Sequence, residues 1–216
     1  MKQLALPFAE EQSYATEDFC GAPSNAKARD WLARPEAWSN GRLVLWGEAG
    51  CGKTHLLHVW AASSGAAMFH GPELYGFVRP AGPVAVDDAD ILPEPQALLH
   101  LLNAASEAGQ KVLLTARLPP ARQHIPLPDL ASRLRAAEAV EILPAEDELL
   151  ERLLSRLAAD RQLALSIPVR NFMLIFLPRT AAALREAVAR LDRATLGRGA
   201  KITRQLAAEV LAELMA

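Results

Sequence analysis

Short apolar runs recur along the first two thirds of the chain: Leu43-Val44-Leu45-Trp46, Ala66-Ala67-Met68-Phe69, Val84-Ala85-Val86, Val112-Leu113-Leu114 and Val140-Glu141-Ile142. Four of these five are nearly uniformly apolar, the pattern of strands buried on both faces of a parallel sheet. Between them, segments such as Thr54–Ser63 and Gln96–Glu107 carry helical spacing. Alternation of strand and helix predicts a doubly wound α/β fold, a parallel five-stranded sheet with right-handed crossovers, over residues 19–145. After Pro144 the pattern changes. Segments 146–161, 168–176, 180–193 and 203–214 are all helical in spacing, punctuated by Pro168 and Gly197-Arg198-Gly199. Leu184, Val188 and Leu191 share one face of the third, and residues 146–216 are expected to form a small all-helical domain. Residues 1–18 lack periodicity and read as an extended arm.

The chain has 216 residues and is 51% hydrophobic, ample for a packed core and incompatible with disorder as the main state. A net charge of −2 argues against a non-specific nucleic-acid binder. That total hides an asymmetry: residues 1–150 carry 12 Lys/Arg against 19 Asp/Glu, and 151–216 carry 11 against 6. Cys20 and Cys51 are too few for a disulfide framework and read as reduced thiols. No secretory signal opens the chain, and no run approaches the ~18 apolar residues of a bilayer span. A cytoplasmic protein that does not engage the membrane is expected.

Gly47-Glu48-Ala49-Gly50-Cys51-Gly52-Lys53-Thr54 fits G-x-x-x-x-G-K-[ST], with a strand running into it and a helix leaving it. In that pattern glycines let backbone N–H groups turn inward around phosphate oxygens, and the following helix N-terminus adds its dipole. Lys53 would reach the β- and γ-phosphates, and Thr54 would offer its hydroxyl to Mg²⁺. Only five lysines occur beside 18 arginines, so a lysine here is less easily incidental. The run Val84-Ala85-Val86 ends in Asp87-Asp88, acids that face the ligand crevice at the C-terminal end of a parallel strand. Alone they would read as a solvated acidic turn. Beside a phosphate loop, Asp87 is expected to hold Mg²⁺ and Asp88 to orient or polarise an attacking water. Trp31, Trp38 and Trp60 read as packing residues, and Cys51 as a small packing residue of the loop. His55 and His58 form a helical pair without the carboxylate or cysteine company that zinc requires.

With both motifs in place, nearly the whole chain resembles the AAA+ ATPases of the DnaA/Hda group. Trp46 through Leu57, with Gly52-Lys53-Thr54-His55-Leu56, is similar to that group's phosphate loop. Asp18-Phe19 followed by Ser24-Asn25 resembles its adenine-side segment. Thr115-Ala116-Arg117-Leu118-Pro119-Pro120 resembles its fourth-strand polar element, and Leu130-Ala131-Ser132-Arg133-Leu134 its arginine-finger motif. The resemblance implies ADP or ATP with Mg²⁺ held between the α/β domain and a helical lid. It also implies Thr115 at or beside the sensor 1 position, and Arg133 directed at a neighbour's nucleotide. One departure stands out. Ala182 falls where the group has its sensor 2 arginine, with Arg179 and Arg185 three residues to either side, Arg179 nearer the helix start.

The arm Gln3-Leu4-Ala5-Leu6-Pro7-Phe8 resembles the peptide by which the Hda branch of this group docks on the replicative sliding clamp, the β subunit of DNA polymerase III. Gln3, Leu4, Leu6 and Phe8 would make the contact, with apolar side chains filling a pocket from an extended segment. DnaA carries a helix-turn-helix domain beyond the lid, and this sequence stops at Ala216. The expectation is therefore a regulator that meets DNA only indirectly and acts on DnaA. A homodimer is left open. Two other readings stand beside it: an autonomous AAA+ ATPase that loads or remodels a replication protein, and a DnaA-related DNA-binding factor using the basic tail. A small-molecule kinase is the weakest option, for want of an arginine cluster over the phosphates.

Overall fold

The computed structural model describes residues 14–15, 18–196 and 201–214; the clamp-like residues 3–8 lie outside these. Two compact units are present, Tyr14–Pro144 and the residues from Ala145 onward.

The first unit is built on five parallel strands: β1 (Arg42–Trp46), β2 (Ala67–His70), β3 (Val84–Asp87), β4 (Val112–Ala116) and β5 (Glu138–Glu141). Their order is β2-β3-β4-β1-β5, which leaves β1 and β4 central. Along β1 the side chains alternate, and each face has its own core. Val44 joins Val84, Val86, Leu114 and residues of α3 (Pro95–Glu107) and α4 (Pro128–Arg135), such as Leu98, Leu101 and Leu134. Leu43 and Leu45 join Leu113, Val140, Trp38 and residues of α1 (Pro23–Leu32) and α2 (Lys53–Ser64), such as Leu57 and Trp60. Trp38 and Trp60 pack ring on ring at 5.2 Å, and the Trp38 indole N–H donates to the Trp31 carbonyl at 2.8 Å. These tryptophans are structural.

Two expectations need correction. The run at 66–69 forms an edge strand rather than a doubly buried one: Ala67, Met68 and His70 of β2 are exposed, Met68 by 39%. β5 begins at Glu138, two residues before the apolar run, although the Ile142 N–H still donates to the Trp46 carbonyl at 2.8 Å. α1 and α4 carry too little apolar periodicity to stand out in the sequence. α1 buries Ser24, Asn25 and Ala28, and α4 buries Leu130, Ala131 and Leu134.

The second unit contains α5 (Asp147–Asp160), α6 (Ile167–Phe176), α7 (Ala181–Leu196) and α8 (Arg204–Leu211). Its core gathers Leu150, Leu154, Phe172, Met173, Leu184, Val188, Leu191 and Leu211. Pro168 sits in the first turn of α6, where its missing N–H costs nothing. The Thr180 hydroxyl accepts from Ala183 N at 3.1 Å and that of Thr203 from Leu206 N at 3.2 Å, starting α7 and α8. Among the described residues, no helix is long and apolar enough to cross a membrane.

Candidate nucleotide site

β1 ends at Trp46 and the chain turns at once through Gly47–Gly52 into α2. Gly47 has φ +152°, and a Cβ there would lie 2.4 Å from the Ile142 carbonyl oxygen, so only glycine fits between β1 and β5. Gly50 and Gly52 also take positive φ, which turns the loop back over the first turn of α2. The unpaired N–H groups of that turn point into the loop and favour an anion. Lys53 is only 7% exposed; its ammonium donates to the carbonyls of Gly47 and Glu48, each at 2.8 Å. The loop's one cation is thus held at its mouth before any ligand arrives. Cys51 Sγ lies 3.8 Å from Lys53 Nζ. Burial pushes the Cys51 thiol above its ordinary pKa, and the Lys53 charge only partly offsets this.

The acids at the end of β3 complete the pocket. Thr54 Oγ1 donates to Asp87 Oδ2 at 2.9 Å, and the buried Thr115 hydroxyl donates to Asp87 Oδ1. Thr115 Oγ1 also accepts from Asp88 N at 2.9 Å, and its carbonyl accepts from Ala89 N at 2.8 Å. One threonine therefore fixes both the carboxylate of Asp87 and the backbone that follows it. Asp88 takes φ +49°, a left-handed position that aspartate tolerates. Its carboxylate lies 3.5 Å from His70 Nε2, on the strand beside it. Asp90 accepts from Arg117 N at 2.9 Å through one oxygen. Sequence reasoning placed Asp87, Asp88 and Thr115 in the site but did not find His70. The signal was available: a histidine closing a strand, at the same strand end as the acids.

On the other side of the loop, Phe19 packs edge-on against His55 at 5.2 Å. His55 Nε2 lies 3.1 Å from the Ala15 carbonyl oxygen, and Tyr14 stacks on His58 at 3.9 Å with parallel rings. Asn25 is buried and bonds both Cys20 O and Ala22 N, shaping the turn into α1. The α/β unit thus begins at Tyr14, and His55 and His58 fasten this segment to α2. Tyr14 and His58 are additions to the residues read from sequence.

One residue of the α/β unit stands apart from this pocket. Arg133, on α4, lies at the opposite end of the sheet: α4 leads directly into β5, and Asn40 Nδ2 donates to the Ala136 carbonyl at 3.2 Å, just before β1 begins. The length of β1, about 13 Å for its four residue steps, separates that turn from the phosphate loop. No hydrogen bond or ion pair joins the Arg133 side chain to another described residue. In the helical unit, Arg179 precedes α7 and is held there, Nη1 at 2.7 Å from Asp147 Oδ1 and Nη2 at 3.0 Å from the Ala145 carbonyl. Ala182 lies in the first turn of α7, with Arg185 three residues on.

The residues present suit a nucleoside polyphosphate with Mg²⁺. Gly47–Thr54 would hold the phosphates, and Thr54 with Asp87 would hold the cation through hard oxygen donors. Among the described residues no group of three or more His, Cys, Asp or Glu could hold a metal ion by itself. Mg²⁺ in such a site takes its remaining ligands from phosphate and water, and it would neutralise charge on the phosphates.

No protein-family model matches the chain. Solved structures do. Domain III of the replication initiation protein DnaA of Thermotoga maritima aligns at TM-score 0.79 and 18% identity, over 94% of this chain and 97% of that one. The replication initiator DnaA bound to AMPPCP and single-stranded DNA aligns at 0.67 and 16%, over 93% and 67%. The Thermotoga maritima RuvB Holliday junction branch migration motor aligns at 0.67 and 18%, over 89% and 70%. The fold is that of the AAA+ ATPases. The likeness to DnaA domain III spans nearly all of both chains.

Proposed function

We propose that the chain is an Hda-type regulator of bacterial replication initiation. It binds an adenine nucleotide with Mg²⁺ at Gly47–Thr54, engages the sliding clamp through residues 3–8, and docks on ATP-bound DnaA. There it presents Arg133 to the nucleotide held by DnaA and stimulates its hydrolysis.

The observation that carries this reading is the place of Arg133. It stands across the sheet from the chain's own phosphate loop, and its side chain forms no hydrogen bond or ion pair with a described residue. A guanidinium so placed acts on a phosphate supplied by another molecule, where it stabilises charge developing on the γ-phosphoryl group. The AMPPCP carried by a DnaA of the same fold supports an adenine nucleotide in the chain's own site. There Lys53 and the loop N–H groups bind and orient the phosphates, Thr54 and Asp87 hold the cation, and Asp88 beside His70 can orient water. Arg179, tied to Asp147 and Ala145, is the candidate for the sensor 2 role that Ala182 leaves open.

The test is Arg133→Ala in the full chain, assayed with DnaA, ATP, DNA and clamp. Stimulated hydrolysis by DnaA should fall at least ~100-fold, because arginine fingers contribute ~10³–10⁵ in rate. Affinity for fluorescent ADP should change less than about twofold, since no hydrogen bond or ion pair joins Arg133 to the phosphate loop. Undiminished stimulation would sink the proposal. A peptide of residues 1–9 should compete with the chain for the clamp, and failure to compete would remove the clamp from it. Rapid turnover by the chain alone, insensitive to Arg133→Ala, would favour the autonomous ATPase.

A further inference from the structure

Arg42 opens β1 and is only 5% exposed, yet no hydrogen bond or ion pair joins its side chain to any described residue. The Arg133 side chain, half-buried, likewise has no such partner, and its charge acts on Arg42. The Asn40–Ala136 hydrogen bond fastens the exit of α4 to the turn that leads into Arg42. Lys111 lies along the same turn, its Cδ 3.7 Å from where a Cβ on Gly41 would stand. Burial first, and then the charge of Arg133, lower the Arg42 pKa, and no carboxylate acts in the other direction. Glu138, which faces Leu43 across the β1–β5 register, forms no ion pair with either arginine. Two arginine charges thus lie near each other, with the Arg42 side chain mostly buried and no acid paired with either. Such an arrangement repels itself, and an oxyanion accepting from the pair relieves the repulsion.

We propose that Arg42 and Arg133 together form a receptor for a phosphate oxyanion supplied from outside the chain, Arg133 making the contact and Arg42 positioning it. This rests on the DnaA-directed reading, in which the phosphate belongs to the nucleotide held by DnaA. Repulsion from Arg42, anchored in a central strand, keeps Arg133 from folding back. The fixed charge of Arg42 also raises the potential at the bound phosphate from a site where solvent screens it poorly. The arginine-finger motif alone does not provide this second cation; an arginine at the first position of β1 does.

The experiment replaces Arg42 and measures DnaA ATP turnover against chain concentration at several salt concentrations. Arg42→Met keeps the stem and removes the charge, with Arg42→Gln as the neutral alternative should the methionine variant fail to fold; Arg42→Lys keeps the charge. The neutral variant should lower stimulation about 10-fold and flatten its salt dependence, while Arg42→Lys should return it to within about threefold of the parent. Melting temperature and fluorescent-ADP affinity report whether the fold and the chain's own site are intact. Parent-like stimulation by the neutral variant overturns the inference. So does equal loss in the lysine and neutral variants, which would mark Arg42 as structural. If Arg133→Ala stimulates as well as the parent, it is the DnaA reading that fails; if Arg133→Ala is inactive and Arg42→Met is not, only the receptor fails.

Discussion

The two ends of the parallel sheet are built on opposite principles. Where the strands finish, the functional side chains are already bonded within the chain: Lys53 to two loop carbonyls, Thr54 and Thr115 to Asp87, His70 close to Asp88. Where the strands begin, Arg42 and Arg133 have no such partner among the described residues. A pocket whose donors and acceptors are satisfied in advance is preorganised, and its ligand exchanges one set of bonds for another. Cations with no acid beside them attract an anion from outside, and their mutual repulsion is relieved when it binds. Under the proposed function, one end serves a ligand the chain keeps and the other a ligand held by its partner. The charge totals follow a different division, because both ends of the sheet lie within residues 1–150. The acids of the finishing end, Asp87, Asp88 and Asp90, add to an excess of acid over base in residues 1–150.

Gly47 offers the sharpest way to break the finishing end. Gly47→Ala would drive a Cβ to within 2.4 Å of the Ile142 carbonyl, whose own N–H ties β5 to Trp46. Relief requires moving β5 or the loop, so a loss of more than ~3 kcal/mol is expected, lowering the Tm by roughly 10 °C. Gly52→Ala is the control: its Cβ would meet only Phe19 at 3.7 Å, leaving backbone strain of about 1 kcal/mol at φ +104°. Calorimetry on both variants decides, and equal losses would contradict the close approach at Gly47. A smaller effect is expected at Asp87. Asp87→Asn keeps an acceptor for the two threonine hydroxyls but removes the charge that would hold Mg²⁺. Fluorescent-ADP affinity should fall about 10-fold with Mg²⁺ present and barely change in chelator. An equal loss in both conditions would assign the effect to the hydroxyl network instead.

Local and distant constraints separate what was legible in the sequence from what was not. The phosphate loop was legible because its glycines answer to backbone geometry within eight residues, and Gly47 shows that geometry directly. The strands were legible as apolar runs. Their places in the sheet were not, because an edge is defined by which strand fails to arrive: Ala67 and Met68 look as apolar as Val84 and Ala85 yet stand exposed. α4 was missed as an element, although its Ser132-Arg133-Leu134 was noticed, since three buried side chains in eight residues make a faint stripe. Tyr14 on His58 joins residues 44 apart, and Arg42 beside Arg133 joins residues 91 apart, so neither pairing leaves a local trace. Arg42 in isolation reads as the polar start of a strand.

Cys51 gives the finest test of how the finishing end distributes its charge. The thiol lies 3.8 Å from the Lys53 ammonium, which should favour a thiolate, yet burial outweighs that and the pKa is raised. The balance is understandable from the loop: Lys53 already donates to the Gly47 and Glu48 carbonyls, and its charge is shared among three neighbours. A raised pKa leaves less thiolate at any given pH, so the thiol stays neutral and slow to react until the pH passes the ordinary cysteine range. In a Cys20→Ser background, iodoacetamide labelling of Cys51 should therefore rise at higher pH than labelling of N-acetylcysteine. Lys53→Met should move the profile further upward, because it deletes the one nearby cation while leaving the burial. A midpoint below that of N-acetylcysteine would show the Lys53 charge to be unshared. The finishing end would then resemble the other end more closely, with a cation awaiting its anion.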